Sequence, residues 1–332
     1  MTCPFWTSYH GLSEYCASAS SVGWVVAATG SIPTGVVAMA SNSGTLVLVS
    51  TYPANTINVS TDTGASWTTT HTVSIGYTLD RILRCGTYWL NYCSEDGPYN
   101  TSTDLSAWTT IDFHEPRLPS YASGSNFAYN GVVACRLMNS SADYGTTYIP
   151  YSTTINAAGT TETIYDGIAG SSDERLFSNM VVLGSTFVCV DTTNVTLFVS
   201  TDDGATWTES ALPFALVGYS CFLVSSGSQI CLFTGHHAYI TTNGATWSTH
   251  LNVFSYTPLY GFYNGSAYVV VKPSSSSQGS VSLDGISWSN AAAPTGFGVG
   301  ISMQLTTGGA GVAYAIANDA YDVQALIRLT YP

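Results

Sequence analysis

Short apolar runs separated by polar, glycine-bearing turns recur along the whole chain. The runs around Cys135 (VVACRLM), Cys189 (TFVCVDT) and Cys231 (SQICLFT) are rich in β-branched and aromatic residues and bounded by Ser, Thr, Asn, Asp and Gly. Runs this short, so bounded, read as strands buried on both faces. Between residues 176 and 210 the pattern predicts four strands in succession, 176–183, 186–191, 196–201 and 205–210, joined by tight turns. Lys and Glu, the usual fillers of exposed helix, are nearly missing, so almost no helix is expected.

The turns repeat as well as the strands. Residues 60–67 (STDTGASW) and 200–207 (STDDGATW) agree at six of eight positions, and shortened relatives occupy 241–247 (TTNGATW), 282–288 (SLDGISW) and 102–108 (STDLSAW), the last without its glycine. A remnant at 20–24 keeps Gly23 and Trp24, and 156–162 holds a glycine turn with no tryptophan. Trp24, Trp67 and Trp108 stand 43 and 41 residues apart, Trp207, Trp247 and Trp288 stand 40 and 41 apart, and the 99-residue gap between Trp108 and Trp207 fits two units. A period in the forties with four short strands per unit is the signature of a propeller blade. The expectation is an all-β, seven-bladed β-propeller of four-stranded antiparallel blades. Its C-terminal blade has only three runs of its own (299–306, 311–317 and 323–329), and the strand at 23–29 completes it, closing the ring and removing free sheet edges. Residues 1–18 then form an N-terminal arm and 19–332 the propeller.

The repeated turn has a local physical role. Asp accepts backbone N–H groups, Gly takes positive φ, the Ser or Thr hydroxyl ties the strand end, and Trp packs between sheets. Asp62, Gly64 and Trp67, with Asp202, Gly204 and Trp207, carry the full pattern; Gly244, Trp247, Gly285, Trp288 and Trp108 carry the partial one. This resembles the Asp-box, or BNR repeat, of the sialidase-like β-propellers. Catalytically, the resemblance implies three arginines clamping a substrate carboxylate, a tyrosine nucleophile paired with a glutamate, and an aspartate acid/base. The chain has six arginines, Arg81, Arg84, Arg117, Arg136, Arg175 and Arg328, and Arg81-Ile82-Leu83 lacks the family's proline and follows rather than precedes the first full motif. The expected reading is therefore non-enzymatic, with a sialidase-like glycoside hydrolase or a secreted carbohydrate-binding propeller as alternatives.

Composition narrows the partners. Of 332 residues only 8% are charged, against about 25% in an ordinary globular chain; net charge is −13 and Lys272 is the single lysine. Such a surface offers no basic stripe for nucleic acid or anionic lipid. No long apolar run suggests membrane insertion, and the first residues do not read as a secretory signal. A surface rich in Tyr, Ser, Gly and Asn makes adaptable contacts and suits sugars. With the low charge, this looks like a bacteriophage virion component, tail-associated and oligomeric, contacting other virion proteins and host-surface glycan. Localisation to the virion is expected, with an extracellular protein as the alternative; five sequons, at Asn58, Asn100, Asn139, Asn194 and Asn264, would fit the latter.

The scarce charges gather in segments that the strand order puts on one face: Glu95-Asp96, His114, Glu115 and Arg117, Asp143-Tyr144, Asp173-Glu174-Arg175, and His236-His237. His114, Glu115, Arg117, Tyr144, Arg175, His236 and His237 form the candidate binding face, with the inserts at 114–124 and 138–148 foremost. The eight cysteines show no CxxC and no zinc-like spacing, so no metal and no cofactor is expected. Cys135, Cys189 and Cys231 read as small buried hydrophobes, and Cys221 and Cys231 are the one pair that a hairpin centred on Ser226-Gly227 could oppose.

Overall fold

The computed structural model describes residues 23–29, 32–51, 55–72, 81–92, 99–111, 123–124, 126–141, 148–165, 168, 175–218, 221–258, 260–263, 265–272, 278–292, 305–309, 312–318 and 324–330. Every regular element among them is a strand. In chain order they are β1 (Gly23–Thr29); β2 (Val36–Asn42), β3 (Thr45–Ser50), β4 (Thr56–Ser60) and β5 (Thr68–Thr72); β6 (Arg81–Cys85), β7 (Tyr88–Tyr92), β8 (Tyr99–Ser102) and β9 (Thr109–Ile111). Next come β10 (Ser123–Gly124), β11 (Ala128–Tyr129), β12 (Ala134–Ser141), β13 (Tyr148–Ile155) and β14 (Glu162–Tyr165), then β15 (Val181–Leu183), β16 (Thr186–Asp191), β17 (Thr196–Ser200) and β18 (Thr208–Ala211). The last are β19 (Phe222–Ser225), β20 (Ile230–Thr234), β21 (His237–Thr241) and β22 (Ser248–His250); β23 (Tyr260–Tyr263), β24 (Tyr268–Lys272), β25 (Gln278–Ser282) and β26 (Ser289–Ala292); and β27 (Leu305–Gly309), β28 (Val312–Asn318) and β29 (Gln324–Thr330).

The seven separate blades expected from the repeat are not what forms. The described strands make six hydrogen-bonded sheets: β2–β5, β6–β9, β10–β14, β15–β18, β19–β22, and one eight-stranded sheet in the order β23-β24-β25-β26-β1-β29-β28-β27. The physical reason is β1. It pairs antiparallel with β29 from Gly23↔Thr330 to Thr29↔Ala325, and its other edge meets β26 in a parallel pairing at Gly23↔Ala292, which fuses the last two groups of strands. Nor are all sheets four-stranded, since β10 and β11 both pair with β12. First strands of neighbouring sheets touch, β2 with β6, β6 with β11, β11 with β15, β15 with β19 and β19 with β23. β2 also touches β27, so the chain comes round on itself.

Burial falls from second to fourth strand where both are described. The second strands β3, β7, β16 and β20 are buried almost throughout, whereas the fourth strands β5 and β18 are mostly exposed. The sequence follows the gradient, from TLVLVS, YWLNY, TFVCVD and ICLFT inside to TTTHT and TESA outside. Strands covered on both faces have no solvent side on which to place charge, which accounts for much of the low charge content. The cores lie between sheets. One joins Val47, Val49 and Ile57 to Trp89 and Leu105 of the next sheet; another joins Val188, Val190 and Leu197 to Leu223, Ile230 and Leu232. Each such large side chain contributes about 1.5–3 kcal/mol on burial.

Several local expectations shift. The first strand of the fourth sheet is only Val181–Leu183, because residues 176–180 run beside β16 through the isolated bridge Phe177↔Asp191 and the bonds Ser178 N–H to Val190 O and Thr192 N–H to Leu176 O. Of the segment 138–148, residues 138–141 and 148 are strand: β12 and β13 stay paired out to Ser141↔Tyr148, and Met138 is fully buried, while residues 142–147 lie outside the described residues. The hairpin around Ser226-Gly227 forms, but it sets Cys231 opposite Val224, and both Cys221 and Cys231 are free thiols. Cys135, Cys189 and Cys231 are buried mid-strand; Cys3, Cys16 and Cys93 lie outside the described residues, as does the arm at 1–18.

Candidate binding site

The repeated turns are latches between sheets. In the turn after β4, Asp62 Oδ1 accepts from Ser60 Oγ (2.7 Å) and Ser66 N–H (2.9 Å), Asp62 Oδ2 accepts from Ser66 Oγ (2.5 Å), and Ser60 Oγ accepts from Gly64 N–H (2.8 Å). The turn after β17 repeats this with Asp202, Ser200, Thr206 and Gly204. In the shortened turns one oxygen takes two successive N–H groups: Asp104 from Ser106 and Ala107, Asn243 from Ala245 and Thr246, Asp284 from Ile286 and Ser287. Ser66 and Ser60 hold Asp62 well below the usual carboxylate range, and the N–H groups of Ala107 and Ser106 lower Asp104 to about 2. Partial burial alone would raise Asp202 and Asp284; the bonds from Thr206 and from Ser287 outweigh it and hold both low.

Two glycines of these turns meet the preceding sheet. A β-carbon on Gly204 (φ +87°) would lie 2.6 Å from Cys135 Sγ, and one on Gly285 (φ +76°) 2.6 Å from Cys231 Sγ. Gly204 O accepts both Trp207 Nε1–H (3.1 Å) and the hydroxyl of Ser152 on β13 (2.5 Å). Trp207, Trp247 and Trp288 pack into the cores shared with the preceding sheets. Leu105 stands where glycine is expected, keeps the left-handed conformation (φ +67°), and is buried against Val47 and Val49. Trp108 Nε1–H donates to its carbonyl at 3.2 Å.

The turns joining first to second strands lie at this same end of the sheets, and they bond to the latches. Asn130 Nδ2 donates to Asp203 (2.7 Å), and Gln229 Nε2 donates to Asp284 O (2.9 Å). Toward the middle of the ring, this end opens into a cavity of about 510 Å³ bounded by β11, β15, β19, β23 and their turns. Tyr129, Phe262 and Tyr263 give it aromatic walls, Asn130, Asn179 and Ser225 give it polar ones, and none of its described lining residues is charged. The polar walls are fixed from within the protein. Asn130 Oδ1 accepts the N–H groups of Val132 and Val133. Asn179 donates to Leu223 O and accepts Leu223 N–H, while Ser225 Oγ donates to Val182 O.

The candidate face read from the charges is at the other end, where second strands join third. His236 is exposed in the two-residue turn between β20 and β21, with Nδ1 at 3.2 Å from Phe254 O, and His237 Nδ1 accepts Asn252 N–H. Arg175 is not presented there. It is buried, paired with Asp191 (3.4 Å) and Glu209 (3.0 Å), and its guanidinium stands 5.1 Å from the centroid of Phe198. His114, Glu115, Arg117 and Tyr144 lie outside the described residues. Among the described residues no three His, Cys, Asp or Glu side chains gather in a metal-binding group, and no helix is long and apolar enough to cross a membrane. Three sequon asparagines, Asn58, Asn100 and Asn139, are buried inside strands, out of reach of glycosylation.

Comparison with solved structures agrees with this ring of sheets. Streptogramin B lyase matches with a TM-score of 0.65 at 12% identity, covering 92% of this chain and 96% of that one. Oligogalacturonate lyase in complex with manganese gives 0.63 at 11% identity, over 94% and 96%. The protein YCF48 bound to D1 peptide gives 0.60 at 12% identity, over 94% and 95%. The chain is a β-propeller. No family model matches it, and no curated protein matches it in sequence. At these identities the likeness fixes the fold alone, and the propeller neighbours include lyases as well as a peptide-bound protein.

The cavity was not legible in the sequence, because it draws three or four residues from each of four successive units. The only signal pointing toward it is the set of turn pairs Asn130-Gly131, Gly184-Ser185 and Ser226-Gly227, which the repeat places at one end.

Proposed function

We propose that this chain is a non-enzymatic binding propeller of the Asp-box type, a tail-associated bacteriophage virion protein that contacts host-surface glycan or neighbouring virion subunits. The observation that carries the non-catalytic part is the use made of arginine. A sialidase-like clamp needs three guanidinium groups turned toward a substrate carboxylate. The four arginines with described side chains are engaged within the protein: Arg175 with Asp191 and Glu209, Arg136 among the rings of Tyr92, Tyr99 and Phe127, Arg84 over Trp89, and Arg81 with Asn126. The virion part is supported by composition. A single lysine in 332 residues is a deeper depletion than burial between sheets calls for, and suits a surface partly given over to a larger particle.

Two measurements test the two parts separately. Mass spectrometry of particles purified from a producing host should find the chain in fixed copy number, and its absence would remove the virion assignment. Incubation with sialosides and other glycans, followed by product analysis, should release no sugar; turnover would remove the non-catalytic assignment.

A further inference from the structure

The cavity ringed by β11, β15, β19 and β23 is built as a recess for an uncharged ligand. Its volume of about 510 Å³ falls within the ~300–1,000 Å³ of small-molecule sites. An anionic ligand would meet no cation among the described lining residues, and Asn130, in the wall, already holds the Asp203 carboxylate at 2.7 Å. A cationic ligand would find no carboxylate among the described lining residues. What remains is a ligand with apolar faces and polar edges, to set C–H surfaces against Tyr129, Phe262 and Tyr263 and hydroxyls against the amide, hydroxyl and backbone groups between them. The wall is ordered in advance, since Asn130, Asn179 and Ser225 are each held by bonds within the protein, so little ordering cost falls on binding.

We infer that this cavity binds the end of a neutral glycan and discriminates against sialylated ones. The inference rests on the binding-module reading above and moves the site to the opposite end of the sheets from the His236-His237 turn. It is tested with the full chain on an array of neutral and sialylated oligosaccharides, followed by titration of the best neutral glycan against wild type, Phe262→Ala and Tyr263→Phe. The expected result is capture of neutral glycans only, with affinity reduced tenfold or more in Phe262→Ala and several-fold in Tyr263→Phe. Thermal unfolding is followed alongside, and Tyr263→Phe, which removes only a hydroxyl, keeps the test decisive if Phe262→Ala fails to fold. Preference for sialylated glycans, no capture of neutral ones, or unchanged affinity in folded variants would each overturn the assignment. Unchanged affinity would do so while leaving the binding-module reading intact, whereas release of sugar would count against that reading alone.

Discussion

Asn179 and Leu223 exchange two hydrogen bonds across the seam between neighbouring sheets, Nδ2 to the Leu223 carbonyl at 2.8 Å and Leu223 N–H to Oδ1 at 2.9 Å. One side-chain amide thus does what a partner strand would do, closing the inner edge of β19 at that residue. Asn179→Ala leaves both backbone groups of Leu223 to water or to nothing. At about 1–3 kcal/mol per unsatisfied buried group, the variant should lose about 2 kcal/mol of stability in urea unfolding. Asn179→Asp, which can accept but not donate when ionised, should cost at least as much at neutral pH.

Two glycines of the same motif should respond differently to a methyl group. Gly244 (φ +72°) has open space where its β-carbon would go, so Gly244→Ala costs only the left-handed conformation, about 1–2 kcal/mol. A β-carbon on Gly204 (φ +87°) would lie 2.6 Å from Cys135 Sγ and 3.1 Å from Thr154 Cγ2. Its alanine variant should lose a further ~1–3 kcal/mol through overpacking. Equal losses in denaturant titrations would refute the contact between latch and neighbouring sheet.

Leu105 poses the opposite choice. Leu105→Gly relieves about 1–2 kcal/mol of left-handed strain but vacates a buried site against Val47, Val49 and Trp108, a change of the class that costs about 2–5 kcal/mol. The net expectation is destabilisation of about 1–3 kcal/mol, read from the unfolding midpoint. A stabilised variant would mean that the leucine's packing contributes little.

Acid should loosen the latches. Asp104 sits at about 2 rather than the ordinary 3.8, so its contribution is complete above 3.8 and is lost as pH falls through about 2; Asp62, Asp202 and Asp284 shift in the same direction. Asn243 already performs the same turn with an amide oxygen. A variant with Asp62→Asn and Asp104→Asn should therefore lose less stability than wild type across that window, as followed by tryptophan fluorescence. A steeper acid loss in the variant would show that the carboxylate charge is not the linked group.

The parts legible in the sequence are those that one unit specifies by itself. The turn at 60–67 announces its hydrogen bonds through Ser60, Asp62, Gly64 and Ser66, and the runs around Cys135, Cys189 and Cys231 announce buried strands. Ring closure is legible too, from the C-terminal unit's missing strand, and β1 does pair with β29; other features that one unit cannot specify are not. The merging of the last strands into an eight-stranded sheet rests on a pairing between Gly23 and Ala292, far apart in the chain and with no mark in either local pattern. Arg175 was misplaced because charge ordinarily signals solvent, whereas Asp191 and Glu209, from two other strands, make its burial tolerable. Of the candidate face's described residues, His236 lies in the turn between β20 and β21 and His237 opens β21, while the cavity's walls come from residues that read singly as ordinary strand and turn positions.

The register between β1 and β29 fixes how this ring would answer to tension. Because Gly23 pairs with Thr330, the chain enters β1 and leaves β29 at the same end of the pair. A force drawing those two exits apart would peel the pair open from that end, breaking its bonds in sequence instead of shearing them all together. The closure is thus a zip under a directional pull, and anything tethered at both exits would load its hydrogen bonds one at a time.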